Sequence, residues 1–438
     1  MQTKEFLDSV CEQIRYKPIR KQISEELENH IEEIKENYIK EGMETKKAEA
    51  EAIKQMGDSI EIGKKLDKIH RSRFDWKLVL IIVVLMFFGF LVAVIKSRPM
   101  NEEIYEPYYI IKFFISIGIG LAISILIYFF DYKKLIKYNK YIYILATVIL
   151  VYTLIHGAKT NGRMYFSEFN IITSIDMIVM PLYIISFIGF LINKKEENIK
   201  HIGKINININ TILATVLSIL SLILLVSLSI SSAFTLGIIY LIILTVKLLK
   251  TEKWNKYKII ALWGTVLVLS LLLLITILNS PVASQRLKAL TNPESDPQGF
   301  GWTAMNKKVI LESAKSIGEA TDKSGAIGLF EEGSNFAFIS ILANYGWAVA
   351  ITMILVIILF SIKLIIDSIK VKDFYGKLLI IGISSMFILQ SIFCILMNLN
   401  LGIESNFNIP FVSYGATNLI INMMSLALIL SVYRRKDI

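Results

Sequence analysis

Long apolar runs separated by short charged segments dominate the chain after its first 75 residues. Each run approaches the roughly 20 apolar residues that a helix needs to cross the hydrocarbon core of a bilayer. The pattern predicts an all-α, polytopic membrane protein with ten transmembrane helices. The predicted spans are 76–95, 108–130, 138–157, 173–193, 208–230, 232–250, 258–279, 336–362, 375–397 and 411–433.

One polar segment between these runs is much longer than the others. It extends from Pro281 to Gly346, includes a helix-like run to Gly318, and gives a predicted loop of about residues 280–335 between the seventh and eighth spans. Almost every other loop is too short to hold a substrate. We therefore expect any chemistry of the chain to take place in this segment.

Residues 1–75 have a different pattern, with apolar residues at the three- and four-residue spacing of amphipathic helices. A first predicted helix covers 19–40, a second covers Thr45–Met56 with Thr45 as its N-cap, and Asp58 caps a third. This head resembles the helical prefix domain found ahead of some bacterial permeases and regulators. The resemblance implies a protein-interaction or regulatory role for a cytosolic domain 1–75, with an unknown partner.

Charge in the short loops predicts the orientation of the chain. Lysines cluster in alternate loops, such as 133–140, 194–204 and 363–377, and the intervening short loops hold few. Basic loops stay on the cytoplasmic side, so both termini are predicted to be cytoplasmic and the long segment to face outward. The first 75 residues hold 15 Lys/Arg against 17 Asp/Glu, so the net charge of +10 comes from the rest of the chain, chiefly its short loops. This indicates contact with membrane lipids and argues against nucleic acid.

No metal-ligand spacing occurs among the two cysteines and four histidines. The sequence thus predicts neither a metal site nor a cofactor. One acid, Asp176, falls just inside a predicted span, shortly after an outward loop that contains Lys159 and Arg163. An acid in a membrane is costly unless paired or hydrated, so Asp176 is a candidate functional residue, or else a structural partner of Arg163 or Lys159.

Three local signatures occur in order along the chain: Asn292–Trp302 (NPESDPQGFGW), Ser334–Phe338 (SNFAF) followed by Asn344-Tyr345-Gly346, and Pro410–Asn418 (PFVSYGATN). With the ten predicted spans and the long loop, they resemble the SEDS family, for shape, elongation, division and sporulation, typified by FtsW, RodA and SpoVE. The likeness covers roughly residues 76–435. It implies a bacterial plasma membrane protein and a membrane domain of 76–438.

The resemblance also implies an activity. The family polymerises lipid II, the undecaprenyl-linked disaccharide-peptide, into glycan strands and works with a transpeptidase of the penicillin-binding class. Its catalytic aspartate corresponds to Asn335, and an amide cannot accept a proton at neutral pH. A lost general base typically costs about 10²–10⁴-fold in rate. The resemblance implies no cofactor, although a divalent cation could offset charge on the diphosphate.

Four interpretations follow from this departure. Another acid could replace the aspartate, and the candidates in the same outer segment are Glu332, Glu331, Asp322 and Asp296. Alternatively, the chain binds lipid II as a non-catalytic regulator or scaffold of a penicillin-binding protein, or transports a lipid-linked precursor. The fourth, an ion-coupled permease, would need repeated halves, and we find none.

Substrate contacts are predicted from charge and from the third signature. Arg163, Lys159 and Arg286 are candidates to bind the diphosphate, and Asp176, an acid just inside a span, is a further candidate substrate-binding residue. The turn at Ser413, Tyr414 and Gly415 either lets a helix end approach the cavity or only begins the last helix.

Overall fold

The computed structural model describes most of the chain as two compact units. The described residues are 2–15, 19–70, 75–98, 107–160, 163–168, 171–192, 199–202, 205–251, 281–324, 329, 334–402 and 405–436. The first unit contains the described residues within 1–74, 371–373 and 433–438, and the second contains those within 75–370 and 374–432.

Four helices build the head, one more than the sequence predicted. They are α1 (Thr3–Gln13), α2 (Arg20–Lys40), α3 (Thr45–Met56) and α4 (Ser59–His70). Helix α1 was missed because its apolar residues are few, yet Phe6, Leu7, Val10 and Ile14 are buried in the core of the head. The head is therefore a four-helix unit in which the first helix supplies much of the core.

The caps of the head helices differ in part from the prediction. Thr45 is the first residue of α3 and Glu44 occupies its N-cap position, so the predicted Thr45 cap was wrong. The Asp58 cap is confirmed: its carboxylate accepts hydrogen bonds from the backbone N–H groups of Ile60 and Glu61, each at 3.3 Å. Such bonds satisfy backbone donors that a helix start leaves unpaired.

Glu49 ties α3 to the start of α1. Its carboxylate accepts hydrogen bonds from the Thr3 hydroxyl at 2.7 Å and from the Thr3 backbone N–H at 3.1 Å. The side-chain bond from Thr3 holds the pKa of Glu49 below its ordinary value of 4.5. A carboxyl group whose pKa is lower in the folded than in the unfolded protein stabilises the fold at any pH above its unfolded-state pKa. This stabilisation is lost as the pH falls through the folded-state pKa.

We therefore expect acid to loosen α1 in the parent chain more than in Glu49→Gln, which lacks the titrating group. Hydrogen exchange of the α1 amides in the intact protein, compared between the two chains at each pH, isolates this effect. The ratio of the α1 amide exchange rate in the parent to that in Glu49→Gln should rise as the pH is lowered below 4.5. A ratio that does not change with pH would contradict the linkage.

The second unit is a bundle of apolar helices. The helices are α5 (Trp76–Ser97), α6 (Tyr108–Phe129), α7 (Leu135–His156), α8 (Asp176–Ile192), α9 (Ile209–Leu228), α10 (Ile230–Thr251), α11 (Pro281–Thr291), α12 (Phe300–Ser313), α13 (Ala337–Tyr345), α14 (Trp347–Lys370), α15 (Phe374–Asn398) and α16 (Ala416–Arg434). Within the described residues, seven are long and apolar enough to span a membrane: α5, α6, α7, α10, α14, α15 and α16. Two shorter apolar helices cover Asp176–Ile192 and Ile212–Leu228.

The helical membrane architecture is thus confirmed, while the predicted count of ten is not. The predicted seventh span, 258–279, lies outside the described residues. The predicted eighth span, 336–362, was wrong as a single helix, because it divides at Gly346 into α13 and α14. Gly346 has φ +82°, a conformation that glycine adopts without strain and that ends a helix.

The polar segment before α13 packs along this break. The backbone N–H groups of Gly318 and Ala320 donate to the carbonyls of Tyr345 and Ala343 at 3.1 and 2.9 Å. A Cβ on Gly346 would lie 2.7 Å from the Lys315 carbonyl oxygen. The continuous apolar pattern concealed the break because α13 is buried on all sides, by protein and not by lipid.

Short strands replace part of two predicted loops. Strands β1 (Ala158–Thr160), β2 (Arg163–Glu168) and β3 (Ile171–Thr173) form an antiparallel sheet between α7 and α8. A second pair, β4 (Ile199–Ile202) and β5 (Ile205–Asn208), precedes α9. Helix α8 consequently begins at Asp176, three residues after the predicted start of the fourth span.

The segment before α16 packs directly against α5. Helix α16 begins at Ala416, so the predicted start of the last span at 411 was wrong. Phe411 has φ +65°, and its ring lies 5.9 Å from those of Phe360 and Phe387. A Cβ on Gly89 would lie 2.5 Å from the Phe411 carbonyl oxygen, so only glycine permits this approach of α5 to the turn.

A buried ion cluster joins the start of α5 to α14. Asp75 caps α5 by accepting from the Leu78 backbone N–H at 3.1 Å, and Lys363 donates to both Asp75 and Asp367. The side chains of Asp75, Lys363 and Asp367 are 5%, 13% and 1% exposed. Lys370, which is 45% exposed, lies 3.7 Å from Asp367 on the rim of the cluster.

Candidate functional site

Asn335 lies where three segments of the membrane unit meet. It belongs to a single turn, Ser334–Phe336, that leads into α13. Its side-chain N–H donates to the Ser405 carbonyl at 3.0 Å, and its own carbonyl accepts from the Asn398 amide at 3.0 Å and from the Cys394 thiol at 3.4 Å. The position that the resemblance assigns to the catalytic aspartate is therefore held from both sides by α15 and by the segment before α16.

Asn398, at the end of α15, organises this junction. It is fully buried, and its side-chain oxygen accepts from the Ile339 backbone N–H at 3.3 Å. That N–H lies in the first turn of α13, where helix geometry leaves donors without an intrahelical partner. One amide side chain thus caps α13 and fixes the Asn335 backbone.

Lys307 reaches the same junction from α12. Its side chain is 1% exposed and donates to the Met397 carbonyl at 2.8 Å, one of the last carbonyls of α15. A cation at a helix C-terminus is favoured by the helix dipole. Lys307 was not predicted from the sequence, although Thr303, Lys307 and Ile310 share one buried face of α12 at helical spacing.

Asp176 forms a second polar cluster beside the first. It is fully buried, and its two carboxylate oxygens accept hydrogen bonds from the Ser174 and Ser232 hydroxyls. The Asn406 amide donates to the Ser174 hydroxyl at 3.3 Å and accepts from the Tyr165 hydroxyl at 3.1 Å. The observed partners of this acid are hydroxyls, which sequence reasoning did not anticipate.

The neighbouring residues Ser405 and Asn406 connect the two clusters. Ser405 binds Asn335 through its carbonyl, and Asn406 binds the Asp176 cluster through its side chain. Both residues are buried. The structure therefore brings Asn335 and the Asp176 cluster into contact with one short segment.

Some of the remaining predicted site residues have only their backbone described, and others lie outside the described residues altogether. Lys159 and Arg163 lie in the β1–β2 hairpin, paired with Met164 and Thr160, and Arg286 lies in α11; their side chains are outside the described part of the structure. Glu331 and Glu332 also lie outside the described residues.

Asp296 lies in a tight turn before α12. Its backbone carbonyl accepts from the N–H groups of Gly299 and Gly301 at 3.3 and 3.0 Å. A Cβ on Gly299 would lie 2.2 Å from the Asp296 carboxylate. This geometry gives Asp296 a structural part in the turn that begins α12.

The turn before α16 is closed by its own residues. The Ser413 hydroxyl accepts from the Ile409 backbone N–H at 2.9 Å, and Gly415 has φ +150°. Tyr414 packs edge-on against Tyr109 with ring centres 5.3 Å apart. The positive φ of Gly415 favours glycine, and a Cβ there would lie 3.5 Å from the Asn418 side chain.

The Asn344 side chain belongs to a polar chain that reaches the segment before α13. Its side-chain oxygen accepts from Lys323 at 3.2 Å, and Lys323 in turn pairs with Glu319 at 2.9 Å. A side-chain hydrogen bond from Lys323 holds the pKa of Glu319 below its ordinary value. Among the residues that the structure describes, no group of three or more His, Cys, Asp or Glu side chains could hold a metal ion.

These features define a multi-pass helical membrane protein with a polar junction beneath a long, partly helical segment. The model of the FtsW/RodA/SpoVE family, described as "Cell cycle protein", matches residues 75–438. The chain belongs to this family, the SEDS family of the sequence resemblance.

Similar proteins agree with this membership. The chain is 21% identical over 370 residues to the probable peptidoglycan glycosyltransferase FtsW of Trichlorobacter lovleyi, covering 82% of this chain and 93% of that protein. It is 26% identical over 161 residues to the peptidoglycan glycosyltransferase RodA of Treponema pallidum, covering 36% and 37% of the two chains.

Solved structures share the fold. A chain from a structure described as "Structural coordination of polymerization and crosslinking by a peptidoglycan synthase complex" matches with a TM-score of 0.63 at 17% identity, covering 83% of this chain and 98% of that one. Thermus thermophilus RodA matches with a TM-score of 0.58 at 16% identity, covering 83% and 97%.

Proposed function

We propose that this chain binds lipid II at the Asn335 junction and acts in peptidoglycan synthesis, with weak or lost polymerising activity. Family membership supports the ligand class, since relatives bear the name peptidoglycan glycosyltransferase. The observation that carries the proposal is the amide of Asn335, whose N–H donates to the Ser405 carbonyl at 3.0 Å.

The chemistry of the position supports binding over polymerisation. In a glycosyl transfer of this kind, a base takes a proton from the acceptor hydroxyl while the lipid diphosphate leaves. Asn335 cannot serve as that base. A carboxylate in its place would also face the Ser405 carbonyl oxygen, an acceptor, so the surroundings suit a donor. We expect polymerisation about 10²–10⁴-fold slower than that of a relative with an aspartate here.

A substitute acid is the second candidate. Glu332 precedes Asn335 by three residues, so both would share a face if they lay on one helix. The Asp176 cluster contacts the same Ser405–Asn406 segment as Asn335, but both oxygens of Asp176 already accept from serine hydroxyls. This arrangement favours a positioning part for Asp176 over proton transfer.

Partners and topology complete the proposal. One structural neighbour comes from a peptidoglycan synthase complex, which supports a penicillin-binding transpeptidase as the partner of this chain in cell shape or division. The loop charges support a plasma membrane orientation with both termini cytoplasmic. In that orientation residues 1–75 form a cytosolic interaction domain.

Binding of labelled lipid II to the purified chain tests the proposal. We expect saturable binding that Arg163→Ala weakens by about tenfold, as for a lost charge-assisted contact to the diphosphate. Lys137→Ala, a cation of a predicted cytoplasmic loop, serves as the matched control and should bind like the parent. A parent chain that does not bind lipid II would refute the proposal, and unchanged binding in Arg163→Ala would remove Arg163 from the site.

A further inference from the structure

A cation and a phenol lie together where α5 ends and α16 begins, outside the Asn335 and Asp176 clusters. The Lys96 ammonium lies over the Tyr414 ring, 5.3 Å from its centre. Tyr109, near the start of α6, packs edge-on against the same ring at 5.3 Å. Three elements therefore converge on one amine and one aromatic ring.

The Tyr414 hydroxyl is buried and has no hydrogen-bond partner among the described residues. A buried hydroxyl left without a partner costs free energy, so native structures rarely retain one without a reason. The unpaired hydroxyl indicates that an acceptor is missing there.

Lys96 is half-buried, and its described interaction is with the Tyr414 ring, not with a carboxylate. An ammonium has three donors and no acceptor capacity. A cation–π contact stabilises the charge of the ammonium but does not provide acceptors for its N–H donors. Both groups of the pair can thus donate to one ligand that carries several acceptor oxygens.

The surroundings identify the kind of ligand. Tyr108 and Tyr109 lie at the start of an apolar helix, where aromatic residues mark the membrane interface. Arg98, two residues after Lys96, is 52% exposed, and its charge is paired with Glu319 at 3.7 Å. Cations with aromatic residues at an interface suit a lipid whose headgroup carries phosphate.

We propose that Lys96 and Tyr414 bind the phosphate of a membrane lipid at the junction of α5, α6 and α16. The ammonium and the phenol hydroxyl donate to phosphate oxygens while the lipid chain lies along the apolar helices. The site does not rest on lipid II polymerisation or binding, because a phosphate on any interfacial lipid provides the same acceptors. The lipid is either a polyprenyl diphosphate or a bulk anionic phospholipid.

The test measures binding of three lipids to the full-length protein in detergent: undecaprenyl diphosphate, phosphatidylglycerol and the phosphate-free alcohol undecaprenol. The variants are Lys96→Met and Tyr414→Phe, which keeps the ring and removes only the hydroxyl. Lys112→Met is the matched control, since Lys112 lies over the exposed ring of Tyr108 at the same 5.3 Å.

We expect a phosphate lipid to bind the parent, Lys96→Met to weaken binding about tenfold or more, and Tyr414→Phe to weaken it severalfold. Lys112→Met should bind like the parent. Preference for undecaprenyl diphosphate would identify a polyprenyl site, and equal binding of phosphatidylglycerol would identify a general phospholipid site. Binding of undecaprenol as strong as that of the phosphate lipids, or equal losses in Lys96→Met and Lys112→Met, would overturn the inference. Tyr414→Phe keeps the test valid if Lys96→Met does not fold.

Discussion

Lys363→Met is expected to lower the free energy of unfolding of the membrane unit by about 3–5 kcal/mol. Lys363 lies between Asp75 and Asp367, and all three side chains are largely shielded from water. Removing Lys363 leaves two buried carboxylates next to each other, with the more exposed Lys370 beside Asp367 as a weak counter-charge. The start of α5 should then separate from α14, because the cluster connects these two helices.

Lys370→Met provides the matched control for this effect. Lys370 belongs to the same helix and approaches the same Asp367 carboxylate at 3.7 Å, but it is 45% exposed. Exposed ion pairs contribute about 0–1 kcal/mol. In detergent micelles titrated with denaturant, Lys363→Met should therefore unfold at a much lower denaturant concentration than Lys370→Met. Similar unfolding midpoints for the two variants would contradict a buried cluster.

Asn398→Leu is expected to cost about 2–4 kcal/mol, because it removes hydrogen bonds from one buried and one partly buried backbone group. These groups are the Ile339 backbone N–H at the start of α13 and the Asn335 carbonyl. The same unfolding measurement applies. Lipid II binding should weaken together with stability, since Asn398 holds the Asn335 turn in place.

Asn418→Leu is the control for that substitution. Asn418 is a half-buried amide in the first turn of α16, away from the junction of α13 and α15. The same chemical change there should alter stability by less than about 1 kcal/mol. Equal losses in the two variants would show that Asn398 acts through its volume and not through its hydrogen bonds.

The hydrophobic pattern predicted most of the membrane helices, because a span needs only about 20 apolar residues and satisfies its backbone internally. The same reasoning failed at Gly346, where the apolar run continues through a break that the segment before α13 stabilises. It also missed α1, whose core residues become evident only when the head helices pack together.

The sequence indicated the position of the candidate residue Asn335 but not its hydrogen-bond partners. Asn335 was found through its motif, whereas its hydrogen-bond partners Asn398 and Ser405 lie 63 and 70 residues away in the chain. Ser232, which binds Asp176, is 56 residues away. Such long-range pairs leave no periodic signal. Asn398, a polar residue at the end of an apolar helix, was a local indication of this junction.

Glycan polymerisation from labelled lipid II by the purified chain tests the central claim most directly. The assay compares the parent, Glu332→Gln and a relative such as Treponema pallidum RodA under the same conditions. We predict that the parent binds lipid II yet forms glycan at least about 10²-fold more slowly than the relative. Rapid polymerisation by the parent that disappears in Glu332→Gln would contradict this claim and would identify Glu332 as the base.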